Sequence, residues 1–261
     1  MEKNMLGRIG LLLLAALLVS SAAMAGDVKF KDPVGDDNGP GEYVYPTDAV
    51  YTKGSFDLTE LDIKFKDTKG TANLTFNSNI ENPWGMDAGF SVQMVFLFID
   101  MDGKEGSGFT TTPPGLNIQF APTDAWDALV IISPQSESRV RQEVGDKGGD
   151  MVPAIVIPNR VRVRNRTVTA SFDLGDLAQG DPSTWGYQAV VQSNEGFPDG
   201  QDLMTRKVNE YEGQHRFGGG SDYDCDPHAM DILGDHSMLA YECNDDGSSK
   251  TPAVLKMVRA E

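Results

Sequence analysis

Apolar and polar residues alternate along most of the chain, as is typical of β-strands with one buried and one solvated face. Residues 56–65 alternate in this way with a slip near Thr59, which predicts a strand interrupted by a β-bulge. Residues 91–99 (SVQMVFLFI) are almost continuously apolar and predict a central strand that is buried on both faces. Similar patterns predict further strands at 72–76, 116–120, 128–132, 139–144, 152–157, 161–163, 168–172 and 187–191.

About ten short strands at intervals of ~8–15 residues predict an all-β fold, and this spacing is typical of a β-sandwich. A hairpin is expected within residues 160–172 (RVRVRNRTVTASF), with its turn near Asn165 and Arg166. Residues 230–233 are predicted to form one turn of helix. Two segments rich in turn-forming residues, 32–51 and 193–246, are expected to be long loops, and loops carry function more often than strands do.

The first 25 residues have the organisation of a secretory signal peptide. Lys3 and Arg8 supply positive charge, an apolar run follows at 9–19, and an Ala-Met-Ala cleavage pattern ends at Ala25. The apolar run is shorter than the ~20 residues that a membrane-spanning helix needs. We therefore expect cleavage after Ala25, one mature domain over 26–261, no membrane span after cleavage, and a location in the periplasm, the cell envelope or the medium.

The chain is strongly acidic, with a formal net charge of −17. Such a surface repels phosphate backbones, which excludes nucleic acid as an expected partner. It suits divalent cations such as Ca²⁺, whose ligands are oxygen atoms. The two cysteines, Cys225 and Cys243, lie in the exported part, where disulfides persist. We expect them to pair and to stabilise the fold by roughly 3 kcal/mol; free or metal-bound cysteines are the alternatives.

Three stretches resemble one known family. They are DPVGDDNGPGEYVYPTDAVYTKGSFDLTELDI at 32–63, NPWGMDAGFSVQMVFLFID at 82–100 and FGGGSDYDCDPHAMDIL at 217–233. In order and spacing they are similar to the glucodextranase C-terminal, DOMON-like domain. The resemblance implies a single β-sandwich of immunoglobulin-like or DOMON-like architecture with long loops. It also implies a module that binds carbohydrate or holds an enzyme at the cell surface, although this chain carries no catalytic domain beside it.

Sugars stack on exposed aromatic faces, and carboxylates and amides bind their hydroxyl groups. Trp84 lies in a loop context between Pro83 and Gly85 and is the expected exposed platform. Tyr43 and Tyr45 belong to a group of tyrosines in the first loop and are further candidates for carbohydrate binding. The other two tryptophans, at 126 and 185, are expected in the core.

Several acidic loops could bind Ca²⁺, and solvated acidic turns are the alternative in each case. Asp222, Asp224 and Asp226 alternate along one loop, which allows their carboxylates to converge on a cation. The sixth residue of that loop is a proline instead of the glycine of an EF-hand, so the loop is not an EF-hand. Asp36 and Asp37 form a second candidate. A third candidate consists of the aspartates at 100 and 102.

Some DOMON-type domains are b-haem electron carriers in which an axial Met is paired with His or Lys. The chain offers Met94 in its most apolar strand, with Lys207 and His215 far along the sequence. Met94 as a simple core residue is the alternative. The chain contains no nucleophile elbow, zinc-protease motif or phosphate-binding loop, so no enzymatic activity is expected.

The sequence therefore predicts an exported, non-catalytic module that binds α-glucan or another envelope polysaccharide, with Ca²⁺ as a possible stabilising ion. Its expected partners are the polysaccharide and an extracellular glycoside hydrolase or another component of the envelope. The alternative is a periplasmic b-haem electron-transfer protein of DOMON type. A structural envelope module without a small ligand is a third hypothesis.

Overall fold

The computed structural model describes residues 25–195, 198–221 and 225–260. The strands in chain order are β1 (Ala25–Lys31), β2 (Leu58–Lys66), β3 (Lys69–Phe76), β4 (Gln93–Asp100), β5 (Ile118–Phe120), β6 (Ala128–Ile132), β7 (Ile155–Val156), β8 (Arg160–Arg164), β9 (Thr167–Asp173), β10 (Gly186–Ser193), β11 (Asp231–Ile232), β12 (Glu242–Cys243), β13 (Ser249–Thr251), β14 (Ala253–Leu255) and β15 (Val258–Arg259). One α-helix, α1 (Glu137–Lys147), lies between β6 and β7. Short 3₁₀ helices are Pro122–Asp124, Gly149–Ala154, Gly175–Leu177, Pro182–Thr184 and His236–Leu239.

Two large sheets form the body of the protein, which confirms the all-β sandwich prediction. The first sheet has the strand order β1-β2-β3-β9-β8, and the second has β11-β10-β4-β6-β7 with β15 also paired to β10. The predicted bulge is confirmed by a register shift between Leu58 and Glu60 where β2 pairs with β3. The predicted hairpin is confirmed by β8 and β9, with Asn165 in its turn at a φ of 55°.

The main core lies between the two sheets because alternate residues of each strand point inward. Leu61 and Ile63 of the first sheet and Leu97 of the second are fully buried in this one cluster. A second core covers the opposite face of the second sheet and includes Phe96 and Phe98 of β4. Strand β4 is therefore buried on both faces, as its continuous apolar sequence predicts.

Residues 139–144 form part of helix α1, so the prediction of a strand there is wrong. The alternation of charge and valine also places Val140 and Val144 four residues apart on one helical face, and both are buried in the second core. Ser136 caps the helix by accepting a hydrogen bond from the Arg139 backbone N–H at 3.3 Å. The pair Arg141–Glu137, at 2.7 Å, adds support along the exposed face.

Two further local predictions are also wrong. Half of residues 152–157 belongs to the 3₁₀ helix that ends at Ala154, so the predicted strand is reduced to Ile155 and Val156. Residues 230–233 form no helix: Asp231 and Ile232 are strand β11, because their backbone pairs with β10. Tertiary pairing overrides weak local preferences in such short segments.

Strand β8 is one edge of the first sheet, since only β9 pairs with it. Its side chains alternate between arginine and valine. Arg160, Arg162 and Arg164 are exposed, whereas Val161 and Val163 pack against the main core. Charged residues on an edge strand discourage pairing with another chain.

Cys225 and Cys243 form the predicted disulfide, with a Cα–Cα distance of 5.9 Å. The predicted signal peptide lies outside the described residues except for Ala25, with which β1 begins. Asp222 and Asp224 also lie outside the described residues. Within the described part of the chain, none of the helices has the length and apolar character needed to cross a bilayer.

Candidate functional site

The first loop, between β1 and β2, forms the wall of a cleft of about 370 Å³. The cleft is lined by aromatic rings and by polar side chains: Gly35, Asp37, Asn38, Tyr43, Tyr45, Tyr51 and Lys53. Both of the tyrosines predicted to bind carbohydrate therefore face this cleft. Tyr43 contributes little surface to it, because only 5 % of this residue is exposed and its hydroxyl donates a hydrogen bond to the Pro227 carbonyl at 2.9 Å.

Close packing against the C-terminal segment fixes the shape of the first loop. Val44 and Gly218 exchange two backbone hydrogen bonds, of 2.9 and 3.0 Å, and the Gly39 N–H donates to the Met230 carbonyl at 2.9 Å. Gly39 has a φ of +58°, and a Cβ atom there would lie 2.2 Å from the ring of Tyr43. A side chain at this position would displace the tyrosine, so the close approach requires glycine.

Tyr45 ties the cleft to the main core. Its hydroxyl donates to the carboxylate of Asp37 and accepts a hydrogen bond from the Phe56 backbone N–H at 3.2 Å. Its ring packs edge-on against Phe56, with centroids 5.5 Å apart. Burial, strengthened by the nearby negative charge of Asp37, raises the pKa of Tyr45, so the hydroxyl stays a donor at neutral pH.

Trp84 adjoins Tyr51, which lines the cleft and is itself only 6 % exposed. The rings of Tyr51 and Trp84 meet edge-on at 6.4 Å, and His215 lies 6.0 Å from each. The Trp84 backbone N–H donates to the Ser91 hydroxyl at 3.1 Å, which holds the loop in place. Trp84 is 38 % exposed, as the prediction of a sugar-stacking platform requires.

Behind the first loop lies a second constellation, which we call the acidic cluster: Asp32, Asp36, Asp57, Asp231 and His236. His236 Nε2 lies 2.7 Å from Asp231 Oδ1 and 3.7 Å from Asp36 Oδ2. Burial and the charge of Asp231 raise the pKa of Asp32 to about 8. Burial also raises the pKa of Asp231, to about 7. Although burial alone would lower it, the hydrogen bond and charge of Asp231 raise the pKa of His236 to about 9.

The other predicted metal ligands are engaged with the protein itself. The Asp37 carboxylate accepts a hydrogen bond from Tyr45. Asp226 is fully buried and accepts hydrogen bonds from the backbone N–H of Ser221, at 2.6 Å, and from its hydroxyl. The sulfur atoms next to Asp226 belong to the disulfide, so they are not free to bind a metal. In the third loop, Asp100 pairs with Arg259 at 2.6 Å, and this cation competes with any metal ion there.

The structure does not bring the predicted haem ligands together. Met94 is fully buried in the second core, on one face of the second sheet. His215 contacts Tyr51, which belongs to the main core on the opposite face. Lys207 pairs with Asp199 at 3.0 Å. Met94 therefore packs like the core residue of the alternative hypothesis.

Four members of the acidic cluster were missed by the sequence predictions: Asp32, Asp57, Asp231 and His236. They are scattered over more than 200 positions, and no local spacing connects them. One signal was available: Asp231 stands within the apolar run MDIL, where an unpaired aspartate is unexpected.

Two of the three stretches on which the family resemblance rests, 32–63 and 217–233, supply residues of the cleft or the acidic cluster, and the third, 82–100, contains Trp84. The family model described as the C-terminal binding-module, SLH-like, of glucodextranase matches residues 28–257. The chain belongs to this family. In a search of curated proteins, none matched the sequence. Family membership confirms the resemblance and identifies the chain as a binding-module type, which is compatible with the absence of catalytic motifs.

Proposed function

We propose that this member of the glucodextranase binding-module family is an exported, non-catalytic protein that binds α-glucan or another envelope polysaccharide. The observation that carries the proposal is the cleft, where tyrosine rings adjoin Asp37, Asn38 and Lys53. This combination suits a sugar, whose C–H faces pack on rings while its hydroxyl groups exchange hydrogen bonds with carboxylate, amide and ammonium groups. The disulfide and the family both support export.

Trp84 is proposed as the stacking platform beside the cleft. It is the most accessible of the rings discussed above, and Tyr51 connects it to the cleft lining. Tyr51 is only 6 % exposed and supports Trp84 from below, so a bound chain of sugars would run from the cleft to the exposed ring of Trp84. Such an elongated path fits a polysaccharide better than a single monosaccharide.

Binding to soluble α-glucans and to purified envelope polysaccharide tests the proposal directly. Affinity electrophoresis and calorimetry should detect binding by the wild-type protein. Trp84→Ala removes a stacking contact of about 0.5–1.5 kcal/mol, so the dissociation constant should rise about 2–12-fold. Because the ring is partly solvated, the free energy of unfolding should fall by less than the ~3–5 kcal/mol expected for a core tryptophan.

A matched control is available in Val254→Ala, which removes a 40 % exposed apolar side chain from β14. This variant should bind polysaccharide as the wild type does. Equal binding by wild type, Trp84→Ala and the control would refute the platform. An absence of binding to every polysaccharide tested would refute the proposed function and favour the purely structural envelope module.

A further inference from the structure

We propose that the acidic cluster binds one divalent cation, with Asp36, Asp231 and His236 as ligands and Asp32 and Asp57 as suppliers of further oxygen atoms. The three principal ligand atoms, a carboxylate oxygen from each aspartate and a ring nitrogen of His236, all lie within 4.8 Å of one another. This inference is independent of carbohydrate binding.

Buried carboxylate oxygens without hydrogen-bond partners point to a missing cation. Asp32 Oδ2, Asp36 Oδ1 and Asp57 Oδ1 are inaccessible to solvent and accept no hydrogen bond from the described residues. Asp32 is 7 % exposed and Asp57 only 1 %. Buried polar atoms are normally satisfied because their desolvation is costly. Such oxygens beside the three principal ligand atoms are therefore candidates for binding a cation.

The same carboxylates are held firmly by their other oxygen. Asp32 Oδ1 accepts from the Gly234 N–H at 2.6 Å, and Asp57 Oδ2 accepts from the Gly35 N–H at 2.8 Å. Asp231 Oδ2 accepts from the Leu58 N–H at 2.6 Å, which leaves its Oδ1 toward His236. Asp32 and Asp57 therefore each keep one fixed and one unpartnered oxygen, as preorganised carboxylate ligands need. Asp231 Oδ1 contacts His236 Nε2 at 2.7 Å, and a bound ion would take the place of that direct contact.

His236 is oriented as a metal-binding histidine would be. Its Nδ1 lies 3.1 Å from the Gly39 carbonyl oxygen, which only accepts hydrogen bonds, so Nδ1 carries a proton. This contact directs Nε2 toward Asp231 and Asp36. A ring N–H bound to a backbone carbonyl is the usual support of a histidine that ligates a metal through its other nitrogen.

The ligands come from the first loop, the ends of β1 and β2, strand β11 and the start of the last 3₁₀ helix. A bound ion would join these segments at one point. The mixed nitrogen and oxygen set suits Mn²⁺ or Zn²⁺, whereas the carboxylates alone suit Ca²⁺. In each case the aspartates bind a divalent cation, and the experiment below decides which of these ions it is.

The test is calorimetric titration of the full, chelator-treated protein with Ca²⁺, Mn²⁺ and Zn²⁺ in separate experiments, without any glycan. The wild type should bind one equivalent of at least one ion and should melt at a higher temperature when loaded. Asp36→Asn should weaken that binding at least tenfold. Asp36 lies in a loop and is only half-buried, so this variant should fold even if Asp231→Asn does not. Asp146→Asn, which removes the same charge from an exposed position of α1, should bind as the wild type does.

His236→Gln separates the two kinds of ion. If the imidazole is a ligand, this variant loses at least tenfold in affinity for Mn²⁺ or Zn²⁺, and pulsed electron paramagnetic resonance of the Mn²⁺-loaded wild type shows a coupled nitrogen that the variant lacks. If Ca²⁺ binds through the carboxylates, its affinity is unchanged in His236→Gln and still falls in Asp36→Asn. Failure of all three ions to bind the wild type, or binding that Asp36→Asn leaves intact, would overturn the proposal without affecting the carbohydrate result.

Discussion

Replacing Gly39 by alanine tests the packing that shapes the first loop. The glycine has a φ of +58°, and a Cβ atom would lie 2.2 and 2.5 Å from two ring atoms of Tyr43 and 2.9 Å from the Ala229 carbonyl. The left-handed backbone alone costs an alanine about 1–2 kcal/mol. Overpacking adds about 1–3 kcal/mol, and loss of the Tyr43–Pro227 hydrogen bond adds about 1 kcal/mol.

Gly85 provides the matched control, because its φ is +64° and nothing lies within 4 Å of the Cβ position. Gly85→Ala should therefore lower the free energy of unfolding by the backbone cost alone. Gly39→Ala should lower it by about 2 kcal/mol or more beyond this control. Urea denaturation of the oxidised protein, with the slope of the transition compared between variants, measures both values.

A double-mutant cycle identifies the source of the difference. In a Tyr43→Ala background the ring is absent, so the cost of Gly39→Ala beyond Gly85→Ala should fall to the part that comes from the 2.9 Å approach to the Ala229 carbonyl. If Gly39→Ala and Gly85→Ala were equally stable in the wild-type background, the close approach of Gly39 to Tyr43 would be refuted, and with it this account of how the loop is fixed.

Two further measurements follow from features described above. Replacing both cysteines by serine should lower the free energy of unfolding by roughly 3 kcal/mol, because the disulfide closes a short loop. Treatment with a reductant should lower the stability of the wild type to the same value. No change in either experiment would show that the disulfide does not stabilise the fold. Because Met94 and His215 lie on opposite faces of the second sheet, protein purified with haem available should show no Soret band at about 400–430 nm. A Soret band that disappears in Met94→Ala would revive electron transfer as the function.

The alternation of apolar and polar residues predicted much of the sandwich. In a strand with one buried face, every second residue points into the core and is apolar, so the sequence has a period of two. The bulge at Thr59 and the hairpin at Asn165 could be read for the same reason. The prediction of a strand over residues 139–144 was wrong because Val140 and Val144 fit one face of a helix as well as one face of a strand. The ion pairs between charged residues four positions apart form only in the helix, so they gave no signal in the sequence.

The candidate site could be predicted only where its residues are local. Trp84 was identified from its loop, and Tyr45 from its position among other tyrosines, and both lie at or near the cleft. The acidic cluster depends on long-range contacts between the first loop and β11, so no local spacing connects His236 with the aspartates, and the one local signal is Asp231 within its apolar run. These carboxylates are far apart in the sequence and become neighbours only in the folded protein.

The arginine row on β8 affects how copies of this module behave at high local concentration. A second copy approaching edge to edge would place arginines opposite arginines, at the ~5 Å spacing at which like charges directly across two strands destabilise pairing. Neighbouring copies can therefore be dense without pairing their sheets through this edge. Strand β8, an edge of the first sheet, therefore also opposes edge-to-edge association of copies at high local concentration.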